Sequence, residues 1–311
     1  MIPCRTAAIV GLAGLFAAAG AGAIQAPVKP AAQKPEVISP LGRSFFAKTD
    51  PTGAIAKVDA ALVADPKNID LLLDAAGAHA TALQFTDAIR LYTQVIALAP
   101  ADVRGYRFRG HRYISTRRFD LAIADLEKAA QIAPTSYDVA YHLGLARYLA
   151  GDFAAAAAAY AGCLAAKEGA RALPLGWRDC STVATDDESR AAISDWLYRS
   201  LRRAGRHEEA NRLLAGIADG LAIKENAAYY NGLLFYKGLR TEAQVLPAEA
   251  FRENTGVTTG YGVAVFYLVQ GQAPQACTLF RRLVEDEAHW NAFGFIAAET
   301  DLTRPGGPCP R

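Results

Sequence analysis

Proline, phenylalanine and alanine each recur in this chain at one interval of 34 residues: Pro66, Pro100 and Pro134; Phe85, Phe119 and Phe153; Ala54, Ala88, Ala122 and Ala156. A fixed period of that length marks a stack of equivalent units. The sharpest copy, Val103 to Pro134, reads VRGYRFRGHRYISTRRFDLAIADLEKAAQIAP. Two amphipathic stretches meet there at a short turn before Phe119, with small residues where two helices must approach closely: Gly110 in the first, Ala122 and Ala129 in the second. Tyr113, Phe119 and Leu126 fill the space around those contacts, and Pro134 stops the second helix. A helix pair this short cannot bury its apolar face alone, so it must stack on neighbours.

Flanking copies repeat the pattern. Ile69 to Pro100 holds Ala76, Phe85, Ala88, Tyr92 and Pro100 in the matching places, and Tyr137 to Glu168 holds Leu143, Gly144, Phe153, Ala156 and Tyr160 without the closing proline. These positions, together with the Arg109-Gly110 pair, resemble the tetratricopeptide repeat family. The resemblance implies an all-α, right-handed superhelical solenoid of stacked helix-turn-helix repeats. Upstream, Ala54, Val58, Ala61 and Pro66 fit the second helix of a worn first repeat, whose first helix is expected, shortened, at Leu41 to Lys48. Downstream the register slips across ARALPLGWRDCSTVATDDES, and the alanine marker resumes at Ala210, Ala243 and Ala276, each 33 after the last. Three further helix pairs and a closing helix from His289 to Leu302 are expected there.

Composition fits an exported helical array: 52% hydrophobic residues supply a continuous core, and a formal charge of +2 gives no reason to expect nucleic acid. Arg5 precedes an uncharged run from Thr6 to Ala23 that ends in Ala21-Gly22-Ala23, the form of a secretory signal cut after Ala23. An uncleaved anchor is the alternative. With the signal removed no membrane span is expected, and the location is periplasmic or secreted. The expected organisation is a signal at 1–23, a Pro/Ala-rich tether at 24–40, a repeat array at 41–168, an irregular insertion at 169–188, degenerate helix pairs with a closing helix at 189–303, and a tail at 304–311.

The mature chain keeps Cys163, Cys180, Cys277 and Cys309, an even number for a compartment where disulfides persist. Three pairings are possible. The favoured one joins Cys163 to Cys180, pinning the insertion, and Cys277 to Cys309, folding the tail back. No Cys-x-x-Cys spacing suggests metal or redox work, and no His-Glu-x-x-His, nucleophile elbow or phosphate loop is present. The five histidines fall on separate helical stretches. Neither catalysis nor a cofactor nor a metal is expected.

Six arginines without an intervening acid, from Arg104 to Arg118, are the remaining signal. The Arg-Gly variant of the resembling family carries an acid where Asp125 stands, which implies an internal ion pair of Arg109 with Asp125, and Arg117 and Arg118 sit at a helix end where cations complement the dipole. Arg104, Arg107 and His111 share one stripe of a first helix, which lines the concave groove in the resembling family. A shift of 34 places Asp70 and Asp138 beside Arg104 but only Leu73 and Tyr141 beside Arg107. Arg107 is therefore the expected unpaired cation of a partner-binding groove, with Tyr141 and Tyr148 as aromatic wall and Arg199, Arg202 and Arg203 extending the charge. In whole-chain order the sequence is similar to exported repeat proteins of bacterial envelopes that dock other envelope proteins, although the lipidated cysteine of that group is missing: Cys4 lies too early. The resemblance implies a protein or peptide partner, and the uncompensated charge expected at Arg107 suits an acidic one. The competing expectation is a glycan or peptidoglycan fragment held by Tyr141, Tyr148, Tyr229 and Tyr230.

Overall fold

The computed structural model describes residues 33–167 and 173–309, and residues from Lys34 onward form one compact unit. The expected signal, its cut and residues 24–32 of the tether lie outside the described residues. Among the described residues the regular elements are helices apart from one small hairpin of β1 (Val37–Ile38) and β2 (Ser44–Phe45), antiparallel with Val37 opposite Phe45, and an isolated bridge between Ser136 and Asp179. A lone helix, α1 (Ala54–Ala64), precedes three regular pairs: α2 (Ile69–Thr81) with α3 (Phe85–Leu98), α4 (Val103–Ser115) with α5 (Phe119–Ile132), and α6 (Tyr137–Ala150) with α7 (Phe153–Ala165). Three looser pairs follow: α8 (Asp187–Arg203) with α9 (His207–Ala215), α10 (Ala227–Tyr236) with the single turn α11 (Glu242–Val245), and α12 (Asn254–Val269) with α13 (Ala273–Leu283). The last helix is α14 (Phe293–Thr303). Along the three regular pairs, and from α7 to α8, each helix packs on the next, which is the all-α solenoid.

Local chemistry sets the start of the first helices. Asn68, Asp102 and Ser136 each sit at an N-cap, and each side chain accepts from a backbone N–H in the first turn of α2, α4 or α6. The turn between paired helices has its own device. Leu83, Arg117 and Gly151 have φ of 57, 61 and 93° and stand 34 apart; Gly205, Gly238 and Gly271 have φ of 75, 75 and 80° and stand 33 apart. Every one of them lies five residues before an alanine marker. A left-handed residue reverses the chain there, and glycine takes that conformation freely, whereas Leu83 and Arg117 each carry a strain of roughly 1–2 kcal/mol. Leu83 is buried in the core, and Arg117 is held by hydrogen bonds described below.

The N-terminal expectation needs correction. Residues 34–40 are not a free tether and Leu41 to Lys48 are not a helix. Val37 and Phe45 point inward from the hairpin and are buried, and Phe45 stacks on Trp290 at 5.3 Å and meets Phe295 edge-on at 5.7 Å. The alternation of Val37 inward and Ile38 outward is a strand period, too brief to stand out in the sequence. Glu36 ties the hairpin to α3 by accepting from Thr86 N at 2.8 Å. The closing helix begins at Phe293, because Glu287–His289 form a separate 3-10 turn capped by Asp286.

Two disulfides brace the irregular segments: Cys163 to Cys180, across 17 residues, and Cys277 to Cys309, across 32. Loops of that size gain about 3 kcal/mol in the chain-entropy account. The insertion is also zipped to the turn before α6, with Cys180 N donating to Thr135 O at 2.7 Å.

Closure of the array rests on charge. Helix α14 carries Glu299 and Asp301, both buried. Glu299 accepts from Arg117 Nε at 2.8 Å, and Arg117 also donates Nη2 to the Trp290 carbonyl at 2.8 Å. Asp301 accepts from Arg203 Nη1 at 2.6 Å and from the Tyr261 hydroxyl at 2.8 Å. Breaking a buried pair by removing one partner strands the other charge. Arg117→Ala is therefore expected to lower unfolding stability by about 3–5 kcal/mol in urea titrations, while Arg118→Ala, next to it but exposed, changes it by about 0.5 kcal/mol or less. Equal midpoints for the two variants would contradict this account of closure.

Candidate functional site

The stripe on α4 divides residue by residue. Arg104 is held by its own N-cap, its Nε and Nη2 reaching Asp102 at 3.0 and 2.7 Å, while Nη1 reaches Asp70 at 2.8 Å one repeat earlier. Burial pushes the Asp102 carboxyl up, but the Arg104 hydrogen bonds and charge hold it below its ordinary value. Asp138 does not join that ladder. It pairs with Arg107, Nη2 to Oδ1 at 3.3 Å.

Arg107 is thus not the unpaired cation of an open groove. Its guanidinium lies over the rings of Phe108 at 4.7 Å and Trp177 at 5.8 Å, and burial lowers its pKa against the pull of Asp138. The partner was displaced from the expected position because a long arginine reaches Asp138, 31 residues on, one helical turn short of the 34-residue equivalent. Arg109 and Asp125 form a two-pronged pair, with Nε to Oδ2 and Nη2 to Oδ1 both at 2.7 Å. Arg112, absent from the expected site, lies over Phe85 at 5.1 Å and forms no ion pair among the described residues. Burial lowers its pKa to about 10.

The expected aromatic wall is interior. Tyr141, Tyr148 and Tyr230 are buried, and the hydroxyl of Tyr141 sits 2.9 Å from that of Tyr229 and accepts from Trp196 Nε1 at 3.0 Å. Tyr148 lies 3.0 Å from Tyr261, hydroxyl to hydroxyl. Tyr230 gives its hydroxyl to the Ala218 carbonyl at 2.8 Å and accepts from Leu221 N at 3.0 Å, so the hydroxyls of all four expected wall residues are engaged within the chain. Arg199 is only 1% exposed, paired to Asp195 one turn earlier and stacked over Trp196. Arg203 lies over Phe153 at 4.1 Å while holding Asp301, and Arg202 points Nη2 at the Val269 carbonyl at 3.4 Å. The basic group on α8 is core, not groove.

What covers the face of α4 and α6 is the chain itself. Phe293, the first residue of α14, meets the rings of His111 at 5.3 Å and His142 at 6.0 Å. The two imidazoles face each other at 4.5 Å, and His142 Nδ1 is 2.7 Å from the Asp138 carbonyl. Sequence reasoning missed this closure, and the signal for it was present: Glu299 and Asp301 interrupt an otherwise apolar helix, and acids in such a setting require buried cations. One part of the inner face stays open. On α2, Leu73 and Gly77 are half-buried, Asp74 is exposed, and a Cβ added at Gly77 would meet nothing within 4 Å.

No family model matches this chain. A curated protein of Triticum aestivum, the Hsp70-Hsp90 organizing protein, is 34% identical over 108 residues, which is 35% of this chain and 19% of that one. The match therefore spans about a fifth of the curated relative's length. Among solved structures, a tetratricopeptide repeat protein from Parabacteroides merdae is 13% identical with a TM-score of 0.48, covering 78% of this chain and 91% of that one. YrrB, described as a TPR protein with an unusual peptide-binding site, is 13% identical with a TM-score of 0.44, over 77% and 97% of the two chains. MamA is 18% identical with a TM-score of 0.43, over 60% and 84%.

The histidine pair gives a pH dependence with a definite sign. Burial, then the Arg112 and Arg107 charges and the facing ring, hold His111 well below 6.5; burial and the Arg107 charge do the same to His142. The unfolded chain therefore binds more protons than the folded one below pH 6.5, so stability is flat above that value and falls beneath it. Unfolding free energies from urea titrations between pH 7.5 and 5 should drop by up to about 1.4 kcal/mol per pH unit for each histidine. In His111→Gln/His142→Gln that part of the slope should vanish; an unchanged slope would contradict the assignment.

Proposed function

We propose that this chain, a tetratricopeptide-repeat protein, is a scaffold that holds another protein in the bacterial cell envelope. The observation that carries this reading is the unequal filling of the array's inner face. Over α4, α6 and α8 the face is closed by the chain's own residues, whereas on α2 it is left open around Leu73 and Gly77. Empty space over Gly77, beside a Leu73 that keeps part of its surface in water, leaves room for a partner's side chains. The docking face is thus moved from Arg107, Tyr141 and Tyr148 to α2 and the start of α4.

Two disulfides favour an oxidising compartment, and the Thr6 to Ala23 run supplies a route to it. In this reading the chain starts at Ile24 once exported, and mass spectrometry of envelope material should find that terminus with no free thiol.

Gly77→Arg tests the docking face without harming the fold. The position is open, and glycine within a helix is roughly 1 kcal/mol less favourable than ordinary helix formers. The variant is therefore expected to melt at or above the wild-type temperature yet to lose about tenfold or more in retention of the partner captured from envelope extract. Undiminished retention, or a chain found in the cytoplasm with Met1 in place, would contradict the proposal.

A further inference from the structure

The insertion between α7 and α8 contains a strap, Leu173 to Cys180, that reaches Arg107 and Phe108 of α4. Trp177 is the residue that makes the contact. Its half-buried ring lies beneath the Arg107 guanidinium at 5.8 Å, meets Phe108 edge-on at 6.0 Å and packs on the cluster of Val103, Ala129 and Val139. Behind Trp177 the main chain is fastened: the Arg178 carbonyl accepts from Tyr137 N at 3.0 Å, Asp179 bridges Ser136, and Cys180 carries the disulfide to Cys163 on α7. Ahead of it Gly176 turns the chain with φ of 81°, and Leu175 stands fully exposed.

The seated strap leaves one group unsatisfied. Arg107 Nε is buried without a hydrogen-bond partner, and the Trp177 ring over this guanidinium offers it no lone pair. A buried donor left unpaired is unfavourable, so hydration of Arg107 favours an open strap. The disulfide acts the other way. While Cys163 and Cys180 are joined, the strap cannot leave α7, and a loop of 17 residues corresponds to roughly a hundredfold in the equilibrium between seated and detached forms. Both cysteines line a cavity of about 300 Å³ beside Ala158, Ala159 and Gly162 of α7, whose small side chains leave room for an attacking thiol. Phe108 and Leu73 pack on one apolar cluster, so the surface beneath Trp177 adjoins the open face of α2.

We propose that the strap is a thiol-controlled cover of the docking face: the intact Cys163–Cys180 bond keeps Trp177 on α4, and its reduction by the dithiol of a thiol–disulfide oxidoreductase uncovers Arg107 and Phe108. The proposal rests on the scaffold reading and concerns the regulation of that surface. In the exchange a donor thiolate attacks one sulfur of the pair, and the bond between the two breaks with its electrons leaving on the other. The donor's second thiolate then displaces the mixed disulfide. The two protons of the donor dithiol end on Cys163 and Cys180, and the donor ends as a disulfide.

The test uses the purified mature chain and phenylglyoxal, which labels accessible guanidinium groups, with the labelled residues read by mass spectrometry. Cys163→Ser/Cys180→Ser is expected to speed labelling of Arg107 by about tenfold or more, since labelling proceeds through the open form. Cys277→Ser/Cys309→Ser should leave it unchanged, as should either pair of substitutions for Arg118, which is exposed throughout. Trp177→Ala should reach the fast rate with both disulfides in place, and dithiothreitol should bring the unaltered chain to it without unfolding. Amide exchange from Gly110 to Ile114 should stay constant, showing that α4 is intact. Slow labelling of Arg107 without the first disulfide, an equal rise without the second, amide exchange that accelerates together with labelling, or a Cys163–Cys180 bond that resists dithiothreitol until the chain unfolds would each overturn the proposal. None of these readouts involves a partner, so they stand apart from failure of the scaffold reading, which Gly77→Arg reports.

Discussion

Glu299 and Asp301 lie on the last helix with no access to water, and the closed form of the molecule depends on the two arginines that meet them. Arg117 comes from the turn between α4 and α5, and Arg203 from the end of α8. Two distant parts of the array are thereby tied to one helix. Buried ion pairs seldom add net stability over apolar packing, yet each one excludes arrangements that would strand its charges. In a solenoid, whose units contact only neighbours, such ties supply the long-range order that stacking lacks. The left-handed Arg117 shows the same constraint at backbone level, since its unfavourable conformation sets the guanidinium between Glu299, Trp290 and Ser115.

Much of the array is legible in the sequence because its period is enforced by packing. Ala88, Ala122, Ala156, Ala210 and Ala276 are fully buried where paired helices approach closely, whereas Ala54 and Ala243 keep the period but are exposed; Gly205, Gly238 and Gly271 mark the left-handed turn five residues before an alanine of the series. The 34-residue spacing did not disclose what happens between non-neighbouring units. Arg107 looks unpaired when only equivalent positions are compared, since its partner Asp138 lies a helical turn away from equivalence. The hairpin at Val37 to Phe45 is two residues per strand, too short to show a period, and its place is decided by Trp290 and Phe295 from the far end of the chain. Tyr141 and Tyr148 carry the residue types of a binding surface, but burial by α8, α10 and α12 residues turns them into core.

Closure changes where function can reside. A continuous concave groove would offer Arg107, His111 and the tyrosines together; the folded chain instead engages them internally and leaves the space over Gly77 on α2 empty. The disulfides hold the insertion against α7 and the tail against α13.

Closure by α14 is the central claim, and amide hydrogen exchange reaches it most directly. Helix α14 should exchange at the same opening free energy as α4 and α6, because stranding Glu299 and Asp301 in any partial opening is costly. The slowest amides of Phe295 to Ala298 should then follow urea in step with those of Gly110 to Ile114 and Leu143 to Ala146. Exchange of α14 at a markedly lower free energy, independent of urea, would show a last helix that opens on its own and would contradict the closed array.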